Sequence, residues 1–186
     1  MARDLLRALR HTTIFGQSAT QHWVDVVLWE HFFNKHPDIK AMIEFGTGMG
    51  GLSIAFALHA VQRDFAFFTF DARKWDACFS SPLARLVDLE GHFQQANLFK
   101  DDGRKAVLKL LRQSALHPLL LFCDNGDKPR EFADYVPHLR PGDYVAVHDW
   151  GKEFGPEDAA LYPIEPLYFD LAEQMEGITR MWRVKP

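Results

Sequence analysis

An α/β fold with a doubly wound, mostly parallel sheet is the class that this sequence predicts. Short apolar runs alternate with longer amphipathic stretches from Ile39 onward. Two of those runs, residues 66–70 and 119–122, are apolar on both faces, which is typical of central strands covered by helices. Residues 178–184 alternate in polarity and are expected to form an antiparallel edge strand. Together these observations predict a three-layer α/β/α sandwich with an antiparallel C-terminal edge strand.

Chain length and composition predict a single domain. The chain has 186 residues, 47% of them hydrophobic, which is enough to build one sizeable core. Apolar residues recur at helical spacing between residues 19 and 34, and Pro37 follows this helix. Residues 1–13 carry arginines between leucines and predict a short amphipathic helix. We therefore divide the domain 1–186 into an N-terminal helical segment, 1–37, and a core, 38–186.

The core is predicted as an alternation of strands and helices. The predicted strands are 39–45, 65–71, 92–99, 118–124 and 143–149, and the predicted helices start at Leu52 or cover 82–88, 101–114 and 130–138. Residues 151–166 are rich in Gly, Pro and acids and are predicted as a loop that folds over a ligand, with Phe154 and Tyr162 as apolar walls. No closing hairpin or lid is evident, so we expect a homodimer that covers exposed sheet edges through the aromatic N-terminal helix.

Charge and cysteine usage exclude several classes of protein. The net charge is -4 and no Lys/Arg block occurs, so nucleic acid is a poor candidate partner. The longest purely apolar run, residues 118–123, is far below the roughly 20 residues that cross a bilayer, so no membrane insertion is expected. The two cysteines, Cys78 and Cys123, have neither disulfide nor zinc spacing. This usage is typical of a reducing, cytoplasmic compartment.

A glycine loop, residues 46–51, follows the first predicted strand of the core. Its glycines fit a GxGxxG pattern, and Asp71 follows about twenty residues later, as in a dinucleotide site. Glu44, two positions before the first glycine, argues against that ligand because a carboxylate repels a pyrophosphate. The same carboxylate attracts the sulfonium and ammonium groups of S-adenosylmethionine. Glu44 acting only as a cap or as an ion-pair partner is the simpler alternative.

The stretch Glu44-Phe45-Gly46-Thr47-Gly48-Met49-Gly50 resembles the first motif of the class I S-adenosylmethionine-dependent methyltransferases, which have a Rossmann-like fold. This resemblance implies that Asp71 accepts the two ribose hydroxyls and that Asn97 faces the adenine amino group. For Asn97, a simple turn role is an equal alternative. The donor-binding residues implied in this way are Glu44, Phe45, Gly46, Thr47, Gly48, Asp71, Ala72, Asn97 and Asp124.

Residues 119–150 make the resemblance more specific. A strand ends in Cys123-Asp124-Asn125-Gly126-Asp127-Lys128, a Gly-Asp turn follows at 142–143, and the next strand ends in His148-Asp149-Trp150. These segments resemble the branch that contains the macrolide sugar O-methyltransferases and the cephalosporin-hydroxylase-like proteins, over most of the chain from about residue 21. The resemblance implies Asp124, His148 and Asp149 as catalytic residues that act on a hydroxyl of a small-molecule acceptor.

Two mechanisms remain open for this acidic segment. Asp124 and Asp149 are candidate ligands of a divalent cation such as Mg²⁺, which would lower the pKa of the acceptor hydroxyl. Alternatively, His148 is a general base that Asp149 or Asp124 orients. Structural roles, a helix cap for Asp124 and a core position for His148, are the simpler alternatives. Lys128 is expected to be a solvated loop residue, with pairing to Asp124 as the less favoured possibility.

The sequence thus predicts an S-adenosylmethionine-dependent O-methyltransferase that acts on a small molecule. A non-catalytic S-adenosylmethionine-binding accessory protein is the alternative from another class. An NAD-dependent oxidoreductase of the same fold is the third possibility, and Glu44 argues against it.

Overall fold

The structure, a computed structural model, describes residues 12–186. The strands are β1 Thr12–Ile14, β2 Gln17–Ala19, β3 Ala41–Phe45, β4 Ala66–Asp71, β5 Phe93–Gln95, β6 Leu119–Cys123, β7 Tyr144–Val147, β8 Ile164–Leu167 and β9 Arg180–Val184. The α-helices are α1 Trp23–Lys35, α2 Gly51–Arg63, α3 Asp76–Phe79, α4 Pro82–Leu86, α5 Leu89–His92, α6 Asp101–Leu111, α7 Lys128–Tyr135, α8 Pro156–Ala159 and α9 Phe169–Gln174. The helix predicted at 1–13 lies outside the described residues except for its last two positions, which belong to the β1 segment.

Seven of these strands form one sheet in the order β5-β4-β3-β6-β7-β9-β8. The first five in that order are parallel, whereas β9 runs antiparallel to β7 and β8 antiparallel to β9. After β5 the chain crosses back to place β6 on the other side of β3, so the strand order reverses between these two strands. Ligands of such sheets bind at this reversal, beyond the carboxyl ends of the strands.

Helices cover both faces of the sheet, as the runs of apolar residues predicted. On one face, Met42 and Leu120 pack with α1 and α2, where Trp29 lies edge-on to Phe56 and Phe122 at centroid distances of 4.9 and 4.8 Å. On the other face, Ile43 and the neighbouring strands pack with α6 and α7. The predicted fold class, a Rossmann-like α/β/α sandwich with antiparallel C-terminal strands, is confirmed.

The C-terminal region differs from the sequence prediction. Part of the predicted loop 151–166 forms α8 and the start of β8, which closes a hairpin with β9 that the sequence analysis did not expect. The sequence analysis did not expect a strand here because it contains Pro166, which is unfavourable in a central strand. The proline is tolerated because β8 lies at the edge of the sheet. Phe154 is buried, with its ring centroid 4.2 Å from that of Phe132, and Tyr162 packs on the same ring. Phe154 belongs to the core rather than to a wall above a ligand, and Tyr162 is half-buried against that core.

An N-terminal hairpin, β1 and β2, is a second feature that the sequence analysis missed. Its two turn residues, Phe15 and Gly16, both have positive φ, 50° and 81°. Such turns match the twist of a hairpin, and the glycine at the second turn position was the available signal. The hairpin lies against the start of α2, where a Cβ on Gly51 would come within 2.5 Å of the Ser18 carbonyl oxygen.

Most of the aromatic residues of α1 are buried in the chain's own core. Trp29, Phe32 and Phe33 are all at most 2% exposed, whereas Trp23 and Val27 of the same helix are 37% and 54% exposed. The homodimer through this helix stays a prediction. Within residues 12–186, none of the helices is long and apolar enough to cross a bilayer.

Asp143, from the Gly-Asp turn before β7, joins the amino end of the sheet. Its buried carboxylate contacts His117 Nδ1 at 2.8 Å through both oxygens and accepts hydrogen bonds from the backbone N–H groups of Leu119 and Arg140. These partners come from the start of β6 and from the turn itself. The Gly-Asp turn is therefore a structural part of the motif, at the opposite end of the strands from their carboxyl ends.

We expect Asp143→Ala to lower the free energy of unfolding by about 3 kcal/mol, because it leaves buried donors without an acceptor. Urea unfolding followed by circular dichroism measures this change. Asp170→Ala, at an exposed position of α9, is the matched control and should change stability by less than about 0.5 kcal/mol. Equal effects of the two variants would contradict this role of Asp143.

Candidate active site

A cavity of about 500 Å³ opens at the carboxyl ends of β3, β6 and β7. Its volume is in the range of small-molecule and cofactor sites. Most of the residues predicted for the site line it, namely Glu44, Gly46, Thr47, Gly48, Asp71, Asp124, His148 and Asp149. The loop after β3 and the acidic ends of β6 and β7 thus meet in one place, as their positions in a parallel sheet predict.

The glycine loop contacts β6 closely at Gly46. This residue has a φ of 95°, and a Cβ here would lie 2.4 Å from the carbonyl oxygen of Asp124. Its N–H donates to the Phe70 carbonyl at 2.7 Å, which carries the pairing of the sheet one step beyond the strand. Only glycine tolerates both the positive φ and the close approach of the Asp124 carbonyl. The loop and Asp124 are therefore held together by backbone contact.

Asp71 links the end of β4 to the same loop. One carboxylate oxygen accepts from the Gly48 N–H at 3.0 Å, and the other accepts from the Arg73 N–H at 2.9 Å. These bonds fix the orientation of the carboxylate toward the cavity. Each oxygen still has acceptor capacity, so Asp71 can also receive two hydroxyls of a ligand.

Glu44 lies on the floor of the cavity, facing α2, and is 1% exposed. Ser53 Oγ donates to its Oε2 at 2.6 Å. Burial raises the pKa of Glu44 to about 8, although the hydrogen bonds from Ser53 and Thr69 oppose this rise. The carboxyl is therefore mostly protonated at pH 7, which corrects the expectation of a permanent negative charge. A cation that enters the cavity would favour the ionised form.

Three of the residues predicted to bind the donor do not line this cavity. Phe45 points into the core, where its ring centroid lies 4.8 Å from that of Tyr135. Ala72 is exposed, and so is Asn97. Asn97 Oδ1 accepts from the Phe99 N–H at 3.0 Å, which is the turn role considered as its alternative. Their contacts with a donor stay predictions.

The three predicted catalytic residues form one cluster. His148 Nδ1 lies 3.2 Å from Asp124 Oδ1 and 3.4 Å from Asp149 Oδ2. Asp149 reaches this position through a left-handed backbone conformation, with a φ of 57°. Because a non-glycine residue pays for this conformation with strain, the surrounding contacts must hold it. The position of Asp149 in the cluster therefore depends on the turn after β7 as well as on the strand.

The cluster determines the protonation of the imidazole. Burial lowers the pKa of His148, but the hydrogen bonds and charges of Asp124 and Asp149 outweigh it and raise the pKa to about 10. The hydrogen bond with His148 in turn holds the pKa of Asp149 well below its usual range. His148 is thus an imidazolium at neutral pH. The general-base hypothesis for His148 is disfavoured in this state, because a charged imidazole has no lone pair to accept a proton.

Lys128 is the clearest departure from the sequence analysis of the site. It was expected to be a solvated lysine, but it is 3% exposed. Its Nζ lies 3.5 Å from Asp124 Oδ1, 3.5 Å from Asp149 Oδ2 and 2.7 Å from Glu153 Oε2. Burial lowers its pKa, but these carboxylates outweigh that effect and raise it. Lys128 is therefore a charged residue of the site, as the less favoured alternative proposed.

Other contributors were missed by the sequence analysis. Gln21 Nε2 donates to Asp124 Oδ2 at 2.9 Å, and Gln17 Nε2 donates to the Met49 carbonyl at 2.7 Å. Glu131 is fully buried, and its Oε1 accepts from the N–H groups of Asn125 and Asp127 at 3.2 and 3.3 Å. No local pattern marks the contacts of Gln17 and Gln21, which join residues 32 and 103 positions apart. The contacts of Glu131 are local, and its position four residues after Asp127 at a helix start offered a signal.

Asp124, His148 and Asp149 could supply ligands for a metal, since one ligand atom of each lies within 4.8 Å of the others. Two observations argue against Mg²⁺. Mg²⁺ prefers oxygen ligands in octahedral geometry, whereas one of the three atoms is an imidazole nitrogen. The Lys128 ammonium also lies 3.5 Å from both carboxylates. Unit charges about 4 Å apart repel by about 4 kcal/mol at an effective dielectric constant near 20, and a divalent ion doubles this. The residues present do not fit Mg²⁺, which argues against Asp124 and Asp149 as the predicted metal ligands.

Comparison with solved structures identifies the fold. The MycE methyltransferase from the mycinamycin biosynthetic pathway, in complex with Mg and SAH, matches with a TM-score of 0.52 at 14% identity, over 88% of this chain and 50% of that chain. An RNA methyltransferase from Salinibacter ruber, in complex with S-adenosyl-L-homocysteine, matches with a TM-score of 0.51 at 12% identity, over 86% of this chain and 91% of that chain. A candidate O-methyltransferase from Klebsiella pneumoniae matches with a TM-score of 0.53 at 16% identity, over 92% of this chain and 84% of that chain.

The chain has the fold of the class I methyltransferases. The resemblance stated from the sequence motifs is confirmed at this level. The chain spans about half the length of MycE. No family model matches the sequence, and no curated protein is significantly similar to it. The activity is therefore argued from the site.

The contact at Gly46 gives a test of how the site is built. Gly46→Ala should lower the free energy of unfolding by about 3 kcal/mol, because the new methyl group meets the Asp124 carbonyl. Gly48→Ala is the matched control: its φ of 51° is also positive, but a Cβ there meets nothing within 4 Å. We expect a cost of about 1 kcal/mol for it, from backbone strain alone. Chemical denaturation measures both values, and a smaller loss for Gly46→Ala than for Gly48→Ala would refute the contact.

Proposed function

We propose that this protein is an S-adenosylmethionine-dependent methyltransferase that methylates a hydroxyl of a small molecule. The observation that carries this proposal is one cavity that joins the glycine loop, Glu44 and Asp71 to the cluster of Asp124, His148 and Asp149. A methyltransferase fold provides the framework. The first group of residues suits the donor, and the second suits an acceptor that must lose a proton.

The donor would lie over the glycine loop between β3 and β4. Asp71 would accept the two ribose hydroxyls in addition to its backbone N–H donors. Glu44 would face the cationic part of S-adenosylmethionine and become ionised as the ligand enters. An anionic pyrophosphate would gain no charge attraction from Glu44, so an NAD-dependent oxidoreductase is not favoured.

The acceptor would approach from the side of β6 and β7. Its hydroxyl oxygen attacks the methyl group, the O–C bond forms as the S–C bond breaks, and the sulfonium becomes a neutral thioether. The hydroxyl proton passes to the carboxylate of Asp124, which lies beside Gly46, and from there to water. His148 and Lys128 hold this carboxylate in position. Positioning for in-line attack is the main contribution expected from the protein.

The charge of the cavity favours a small acceptor over nucleic acid. The carboxylates of Asp71, Asp124 and Asp149 and the mostly neutral Glu44 line it, and its lining cations Lys128, Lys152 and His148 are paired with acids. Among the described residues, the lysines of this lining are therefore not free to bind phosphate groups. The RNA methyltransferase among the structural matches shares the fold, but the cavity of this chain supports a neutral or cationic hydroxylated acceptor.

Calorimetry with S-adenosylhomocysteine tests the donor site. We expect binding in the micromolar range, no binding of NADH, and a loss of affinity on the order of tenfold for Asp71→Asn, since one charge-assisted hydrogen bond is weakened. Asp76→Asn, at an exposed position in α3, is the control and should bind like the wild type. Binding of NADH instead of S-adenosylhomocysteine would reject the proposal.

The protonation of Glu44 gives a further prediction. Because its pKa is about 8 without a ligand, a cationic donor must displace a proton below that pH. The affinity for S-adenosylmethionine should rise with pH up to about 8, by at most about tenfold per pH unit, and then level off. Glu44→Gln should remove the part of the pH dependence that comes from Glu44. The part that comes from titration of the ligand's own amine should be the same in both proteins. Identical pH profiles would contradict the role of Glu44.

Turnover separates an enzyme from a binding protein. Donor binding without methyl transfer to any compound of a hydroxylated acceptor panel would favour the non-catalytic accessory protein. With turnover, Asp124→Asn should reduce kcat by about 100-fold or more, because the proton acceptor is lost. Donor affinity should fall much less than kcat, which calorimetry on the same variant checks.

A further inference from the structure

The position between the acids of the site is taken by a side chain of the protein itself. Lys128 is the first residue of α7, and its side chain turns back toward the ends of β6 and β7. Three carboxylates lie within 3.5 Å of its Nζ, namely Asp124 after β6 and Asp149 and Glu153 in the turn after β7. An ammonium contacts carboxylate oxygens here in the way that a bound cation would.

The position of this ammonium is fixed. Asp127 Oδ1 accepts from the Arg130 N–H at 3.3 Å and caps α7, and buried Glu131 holds the preceding loop through two backbone N–H groups. Lys128 itself is 3% exposed, so little room remains for it to turn into solvent. A charge held in this way is available to the site at all times and needs no free ion.

We propose that Lys128 is the built-in cation of this site, and that it excludes divalent metal ions from Asp124, His148 and Asp149. It acts as a positioning residue that keeps the two aspartates oriented toward the cavity. One consequence of this inference rests on the proposed function, namely that methyl transfer needs no added metal. The exclusion itself concerns the protein without substrate.

A second lysine of the same cavity provides a matched control. Lys152 Nζ contacts Asp149 Oδ1 at 3.4 Å, but its side chain is 68% exposed. It carries the same charge at nearly the same distance from one of the acids. Water screens an exposed charge and the side chain can move away, so removal of Lys152 should affect a metal ion much less.

The test is titration with Mn²⁺, followed by calorimetry and by the paramagnetic resonance signal of the free ion. Wild-type protein should show no saturable binding below about 1 mM. Lys128→Met, which keeps the apolar stem, should bind at least roughly tenfold more tightly, because a fixed positive charge is gone. Lys152→Met should stay within about twofold of the wild type. Lys128→Arg should still exclude the ion, and Asp124→Asn added to Lys128→Met should abolish the gain.

Two results would overturn the proposal. One is wild-type protein that binds Mn²⁺ with micromolar affinity and loses this binding in Asp124→Asn. The other is a folded Lys128→Met protein with no gain in Mn²⁺ affinity, where a circular dichroism spectrum and a urea unfolding curve like those of the wild type show that the fold is intact. Lys128→Gln repeats the test if the methionine variant does not fold. Failure of every protein to bind S-adenosylhomocysteine would reject the proposed function, while the Mn²⁺ titrations would still decide the role of Lys128.

Discussion

The backbone contact between Gly46 and Asp124 is the constraint on which the site depends. The strand order reverses between β3 and β6, and this reversal opens a crevice beyond their carboxyl ends. At that place a Cβ on Gly46 would come within 2.4 Å of the Asp124 carbonyl oxygen, so the two loops touch without intervening side chains. The donor loop and the acidic cluster therefore share one wall. A reaction between two ligands bound side by side would depend on this backbone contact more directly than on any single side chain.

The charges of the cavity are arranged around that wall in two different ways. Glu44 is buried and held neutral near pH 7, with a pKa of about 8, so it responds to a cation that arrives. Asp124, Asp149 and Glu153 already have partners within the protein. Lys128 Nζ contacts Glu153, and His148 Nδ1 contacts Asp124 and Asp149. The part of the cavity near Glu44 is thus suited to a cationic ligand. In the part near Asp124, the acidic side chains are already paired with cationic groups of the protein.

The sequence was sufficient for what depends on local patterns. Double-sided apolar runs identify central strands, and residues that follow such strands must meet at one edge, so Glu44, Asp71, Asp124 and His148 could be placed together before the structure was known. The burial of Lys128 could not be predicted, because it depends on a helix start that turns a side chain back over two strands. The same holds for Gln21, whose hydrogen bond to Asp124 joins residues 103 positions apart. Edge strand β8 was missed because its one proline, Pro166, is unfavourable in a strand anywhere except at an edge.

The contact between Gln21 and Asp124 also bears on how the molecule is made. The cavity has walls from the hairpin that precedes α1 and from Ile178, which comes just before β9. Contacts between segments so distant in the chain require the closure of long loops, and the entropic cost of that closure opposes them. A ligand in this cavity would contact both segments and would therefore stabilise the closed arrangement of the whole chain.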